Sequence, residues 1–152
     1  MNSESDNSKL TGLFAALLSG LLAGSTTAII HAQSGHDTGL LFYIKPILIA
    51  LSCYLLAAVV SRYISSRTYS FAEWPVVSVL GTVLFVCVRL VPAVVQGWFV
   101  PATLKPSLST YVLTEISAAA SVVGFLLLLT LPASAIAAYV VKLISVSMNP
   151  RS

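Results

Sequence analysis

The sequence predicts an all-α integral membrane protein, a bundle of four transmembrane helices. Of the 152 residues, 57% are hydrophobic and 9% are charged, and the mean hydropathy is +0.94. Soluble domains carry about 25% charged residues. Four separate apolar stretches each reach the roughly 20 residues that a helix needs to cross about 30 Å of hydrocarbon. The lysines and arginines are scattered singly, so the net charge of +3 does not indicate a nucleic-acid partner, and the lipid bilayer is the expected surrounding.

The predicted spans follow one another with short connections. They cover residues 10–32, 40–64, 75–100 and 108–131. A polar arm, residues 1–9, precedes the first span, and we expect it to be disordered because its Ser, Asn and charged residues offer no apolar surface to bury. The spans form a single domain, residues 10–148, and residues 149–152 are a tail.

The first span carries a ridge of small residues at every fourth position. Its members are Gly12, Ala16, Gly20 and Gly24. Such ridges let two helices approach closely in lipid. The partner helix can belong to the same chain or to a second copy, so a homo-oligomer or a larger membrane complex through this ridge is one interpretation. A competing interpretation makes the span a signal peptide cleaved after Ala32, but the run exceeds the usual apolar core of about 7 to 15 residues.

The third span carries four polar residues at intervals of 4, 7 and 7 residues, namely Ser78, Thr82, Arg89 and Gln96. These intervals place them on one stripe of a helix. We expect this stripe to face the bundle interior or a wet cavity, because a central arginine facing lipid costs at least about 2.5 to 3.5 kcal/mol.

The fourth span carries a comparable face of small and polar residues, made of Thr110, Thr114, Ser117, Ala118 and Ser121. Glu115 lies at its edge and is the candidate counter-charge of Arg89, with Gln96 as an additional hydrogen-bond partner. Such a pair would be a structural clamp or part of a ligand or proton path. Without a pair, Glu115 marks the water boundary and Arg89 bonds to backbone carbonyls.

Other ionisable residues have simpler interpretations. Lys45 lies near the start of the second span, two residues after Tyr43, and snorkels to the surface, or it joins Arg89 in an outward-facing anion site that Ser52 would also line. The outer loop holds His31, His36 and Asp37, which read as solvated loop residues rather than as a zinc site, since they lack a recognised ligand spacing. We expect no metal and no cofactor.

The end of the chain and the orientation complete the topology. Pro132 predicts that the fourth helix is kinked or broken nearby, with residues 132–148 as a continuation or an interfacial helix. Lys9, Arg62, Arg67, Lys142 and Arg151 flank one side of the membrane, and only Lys45 and Lys105 flank the other. This bias predicts a multi-pass protein of the cell membrane with both termini in the cytoplasm.

No pattern of catalytic residues is present, so an enzyme is the least favoured class. The favoured function is a non-catalytic accessory subunit or a self-associating scaffold. The alternative is a small transporter or channel that handles an ion, a proton or an anion through Arg89 and Glu115. The candidate intramembrane polar site comprises Arg89, Glu115, Gln96, Thr82 and Lys45.

Overall fold

The computed structural model describes residues 3–33, 40–68, 73–98 and 108–148, and every described residue is helical. The helices are α1 (Ser3–Gln33), α2 (Leu40–Thr68), α3 (Glu73–Trp98) and α4 (Leu108–Met148). Each contains a segment long and apolar enough to cross a membrane, namely Lys9–Ile30, Tyr43–Ile64, Glu73–Val91 and Leu113–Ser147. The prediction of an all-α fold with four potential membrane-spanning helices is therefore confirmed.

Helix α1 begins at Ser3 and includes most of the polar arm for which the sequence predicted disorder. Extending a helix that the apolar segment has already nucleated costs little compared with starting one. The helix therefore starts before the boundary expected at residue 9.

Helix α4 runs for 41 residues with Pro132 inside it. Residues 132–148 are thus a continuation of α4 and not a separate interfacial helix. Of the two outcomes expected at this proline, an interruption is not observed, and a bend within the continuous helix stays a prediction.

The four helices pack around a central pair. Helix α1 contacts each of the other three, and α3 contacts both α2 and α4. Among the described residues the backbones of α2 and α4 are not neighbours, so these two helices lie on opposite sides of the α1–α3 pair.

The small-residue ridge of α1 packs against α2 within the chain. A Cβ added to Gly24 would lie 2.5 Å from the Cα of Ile47 and 3.1 Å from the carbonyl oxygen of Pro46. A Cβ added to Gly20 would lie 3.1 Å from the Cα of Leu51. The two backbones therefore approach most closely at Gly24, where a side chain would collide with the α2 backbone, and all four ridge residues are buried within the chain.

The helices of the bundle differ in how much of their surface is buried. The buried core includes Ala16, Ala23, Ala50, Tyr54 and Phe85. By contrast, 17% of the α4 span is buried, against 39% of the α1 and α2 spans. The longest run of α4 without a buried residue is residues 113–125, within its N-terminal half, and we call it the α4 outer half.

Candidate functional site

A cavity of about 430 Å³ lies between α1, α3 and the α4 outer half. This volume falls within the range of small-molecule sites, about 300 to 1,000 Å³. The residues that line it are Thr27, Ile30, Phe85, Val86, Arg89, Leu90, Glu115, Ala118, Ala119, Ser121, Val122, Phe125 and Leu126. No described lining residue comes from α2.

The cavity has a charged end and an apolar end. Contacts of α3 with α4 pair Ser78 with Thr130, whereas Arg89 shares the cavity with Glu115, so the two helices run antiparallel. Phe85 lies one turn from Arg89, about 6 Å along α3. Phe125 lies ten residues from Glu115, about 15 Å along α4 in the same direction. The two charged groups therefore mark one end of the cavity, and the two aromatic rings mark the other.

The structure brings Arg89 and Glu115 to the wall of this one cavity. Both side chains are partly buried, and Arg89 takes part in a polar interaction. No ion pair between these two residues occurs among the described contacts, so the direct pair that the sequence suggested is not confirmed. Their shared cavity nevertheless makes them the strongest candidates for a polar site.

The other predicted site residues do not join this cavity in the described structure. Lys45 is exposed on α2. Thr82 is fully buried, deeper in the bundle than Arg89. The side chain of Gln96 lies outside the described residues, as do those of His31 and of residues 36 and 37. Among the described residues no three metal-ligating side chains gather.

The polar face expected on the fourth span borders the cavity at Ala118 and Ser121, which share its wall with Arg89 of α3. Its described members, Thr110, Thr114, Ser117, Ala118 and Ser121, are all exposed. Thr114 and Ser121 donate hydrogen bonds to carbonyl oxygens one turn earlier, those of Thr110 and Ser117. These hydroxyls are therefore satisfied by their own helix, which removes the need for a partner on α3.

A cluster of buried hydroxyls joins all four helices next to the apolar end of the cavity. Its members are Ser19 of α1, Tyr54 of α2, Ser78 and Thr82 of α3, and Thr130 of α4, and each of them is 0% exposed. We call this group the hydroxyl cluster. Thr130 accepts from the Ser78 hydroxyl at 2.9 Å, and its carbonyl oxygen accepts from Ser19 at 3.3 Å. The Tyr54 and Thr82 hydroxyls are 2.6 Å apart.

The direction of these hydrogen bonds follows from counting protons. A threonine hydroxyl has one proton to donate, and Thr82 gives its proton to the carbonyl oxygen of Ser78 at 2.8 Å. Tyr54 must therefore be the donor to Thr82. By the same reasoning, Thr130 is the donor in its longer contact of 3.4 Å with Thr82. Thr82 thus receives both bonds and connects α2 with α4.

Gly81 makes room for this arrangement. The ring of Tyr54 occupies the position that a Cβ on Gly81 would take. The ring lies flat against the α3 backbone as a result, and its hydroxyl reaches Thr82 one residue further on. Tyr54 can therefore occupy this buried position because residue 81 is a glycine.

Another buried polar group lies at the opposite end of the bundle from the charged residues of the cavity. Glu73 starts α3, and its Oε2 atom is buried without a hydrogen-bond partner. A Cβ on Gly12 would lie 2.9 Å from this atom. One turn before Gly12, the carbonyl oxygen of Lys9 accepts a hydrogen bond from Arg62 of α2 at 2.8 Å, and this bond connects α2 with α1.

Sequence reasoning found the charged residues of the site but missed most of the hydroxyl cluster. The inward orientation of Ser78 and Thr82 is confirmed, since both are fully buried. Thr130 and Ser19 gave no separate signal, because single hydroxyl residues in an apolar helix can bond to their own backbone. Tyr54 could have been found, since a tyrosine deep in a predicted span needs a partner for its hydroxyl.

Comparisons with known proteins gave no match to the chain, whether with family models, curated proteins or solved structures.

Proposed function

We propose that this protein is a non-catalytic membrane scaffold that self-associates through the lipid-facing side of the α4 outer half. The observation that carries the proposal is the open space at Gly124, where an added Cβ would meet nothing within 4 Å. Four residues on this side recur at helical spacing, namely Leu113, Ser117, Ala120 and Gly124. We call them the α4 outer face, and each is exposed.

Two features of the face support a helix as its partner. Small residues let backbones approach closely in lipid, where hydrophobic burial gives no drive for association. The same chain already uses such a ridge, since Gly20 and Gly24 of α1 pack on α2. Ser117 adds a hydroxyl that makes no described side-chain hydrogen bond and that a partner helix can satisfy.

The face is separate from the cavity. Ala118 lines the cavity, whereas Ala120 lies two residues further on, about 200° around the helix at 100° per residue. The same substitution at these two alanines therefore tests opposite sides of one helix. This pair provides the matched control.

The test is the oligomeric state in lipid. Fluorescently labelled protein is reconstituted into liposomes at low protein-to-lipid ratio, and photobleaching steps are counted in each complex. We expect dimers or larger assemblies for the unchanged protein and for Ala118→Leu, and a shift to monomers for Ala120→Leu. A monomeric unchanged protein, or the same assembly in both variants, would refute self-association through this face.

The membrane orientation is part of the proposal. The bias of Lys and Arg residues supports a cell-membrane protein with both termini in the cytoplasm. A variant without Cys53 and Cys87 and with one new cysteine, Ser152→Cys or Ser34→Cys, is treated in intact cells with a membrane-impermeant maleimide. We expect labelling of Ser34→Cys alone. Labelling of Ser152→Cys alone would show that the orientation is opposite to the proposed one.

A small transporter or channel is the second candidate, and the position of Arg89 and Glu115 in one cavity favours it. The hydroxyl cluster argues against an open path, because fully buried side chains from all four helices lie between the cavity and the other end of the bundle. Anion and proton flux into proteoliposomes tests this alternative. Flux that Arg89→Gln abolishes would favour transport over the scaffold.

A further inference from the structure

We propose that the cavity between α1, α3 and α4 binds one single-chain amphiphile with a zwitterionic head group. The anionic part of the head group binds at Arg89, an ammonium group binds at Glu115, and the chain lies between Phe85 and Phe125. This site goes beyond the scaffold function, which uses the opposite side of α4.

The two charged side chains of the cavity indicate the chemistry of the ligand's head group. Arg89 and Glu115 line the same cavity without a described ion pair between them. A guanidinium has five N–H donors, so Arg89 can hold an anion in addition to the interaction that it already makes. A carboxylate is an acceptor only, so Glu115 selects a ligand group that donates hydrogen bonds. A primary ammonium next to a phosphate provides both partners in one head group.

The rest of the cavity wall indicates that the ligand also has an apolar hydrocarbon chain. Beyond the charged end, the cavity is lined mostly by apolar side chains, among them Phe85, Val122 and Phe125. The two hydroxyls in its wall, those of Thr27 and Ser121, donate to carbonyl oxygens of their own helices. The hydroxyl cluster lies past the apolar side chains, but its protons are already committed to partners in the protein. An apolar chain therefore suits this end better than a second polar group.

The volume of the cavity limits the size of the ligand. A space of about 430 Å³ suits a ligand of ordinary small-molecule size. It is too small for a transmembrane helix, whose diameter with side chains is about 10 to 12 Å over its whole length. A single-chain amphiphile fits this size, and the charged end of the cavity orients it.

The experiment is native mass spectrometry of the full chain released from an uncharged maltoside detergent. The probe is lysophosphatidylethanolamine. A fatty acid tests the anion without the ammonium, and free phosphoethanolamine tests the head group without the chain. The variants are Arg89→Leu, Glu115→Gln and Ala118→Leu, the last of which fills the cavity. The controls are Ala120→Leu on the other side of α4 and Lys142→Leu, which removes an exposed cation elsewhere on α4.

We expect one lysophosphatidylethanolamine per chain, with affinity lowered at least about tenfold in the three cavity variants and unchanged in both controls. The fatty acid and free phosphoethanolamine should each bind the unchanged protein at least about tenfold more weakly than lysophosphatidylethanolamine does. Equal binding by all variants, or binding of the fatty acid as tight as that of the lysolipid, would overturn the proposal. Ala118→Leu changes no charge, so it remains informative if Arg89→Leu fails to fold. Loss of binding without a change in assembly separates this site from the proposed self-association.

Discussion

The contact between α1 and α2 at Gly24 allows a direct test of the fold. Replacing Gly24 by alanine adds one methyl group, which would lie 2.5 Å from the Cα of Ile47. Non-bonded carbon atoms settle at about 3.5 to 4.0 Å. The two helices must therefore separate by roughly 1 Å at this point. The neighbouring atoms belong to the α2 backbone, so no side chain can rotate away.

The expected cost is the balance of two terms. Overpacking a tight contact costs about 1 to 3 kcal/mol, and a clash with backbone belongs at the upper end of that range. Alanine is favoured over glycine within a helix by about 1 kcal/mol. The net destabilisation of Gly24→Ala is therefore about 2 kcal/mol, or roughly a thirtyfold change in the folding equilibrium.

The matched control is Gly124→Ala, the same substitution in another helix interior with open space around it. Its helix-propensity term is the same, and within one chain its packing term is absent, so we expect no loss of stability in micelles dilute enough to hold single chains. Both variants are unfolded by titrating dilute maltoside micelles with a denaturing detergent, followed by circular dichroism. Equal free energies of unfolding for the two variants would refute the close backbone contact between α1 and α2.

Further predictions concern the hydroxyl cluster and the cavity. Gly81→Ala should destabilise the protein by about 2 kcal/mol in the same titration, because the collision of the new Cβ with the Tyr54 ring costs up to about 3 kcal/mol and helix propensity returns about 1 kcal/mol; unchanged stability would show that the ring has room to move. Tyr54→Phe should cost only about 0.6 kcal/mol, the average for a hydrogen bond between membrane helices, because Thr82 keeps its bond to the Ser78 carbonyl; a loss above about 2 kcal/mol would contradict this pattern. A double-mutant cycle of Arg89→Leu and Glu115→Gln without added amphiphile should give a coupling energy below about 0.5 kcal/mol, and a larger favourable value would indicate a direct pair.

Hydrophobicity alone was sufficient to predict the four helices. Each helix contains one of the predicted apolar stretches, except that residues 99 and 100 of the third lie outside the described residues. In lipid the backbone must satisfy its own hydrogen bonds, and a helix does so within one segment. The ends were harder to place. Helix α1 includes polar residues from Ser3 onward and α4 continues past Pro132, since helix propagation and neighbouring packing extend a helix beyond its apolar part.

The site was only partly predictable, because periodicity gives the face of a residue but not the distance between two helices. The stripe on α3 correctly placed Ser78 and Thr82 inside. The expected match between this stripe and the polar face of α4 is seen only in part, because Ala118 and Ser121 share the cavity with Arg89 while every member of that face is exposed.

The hydroxyl cluster also affects how the protein fluctuates. Amide groups in tightly packed, hydrogen-bonded regions exchange with solvent only through costly opening events, whereas sparsely packed segments open locally at much lower cost. The bundle therefore combines a tightly joined region around Thr82 and Thr130 with an α4 outer half that is held by fewer buried contacts. Motion of the cavity wall at Glu115 can occur while the helices stay joined at their centre, so the charged site can admit a ligand without unfolding the bundle.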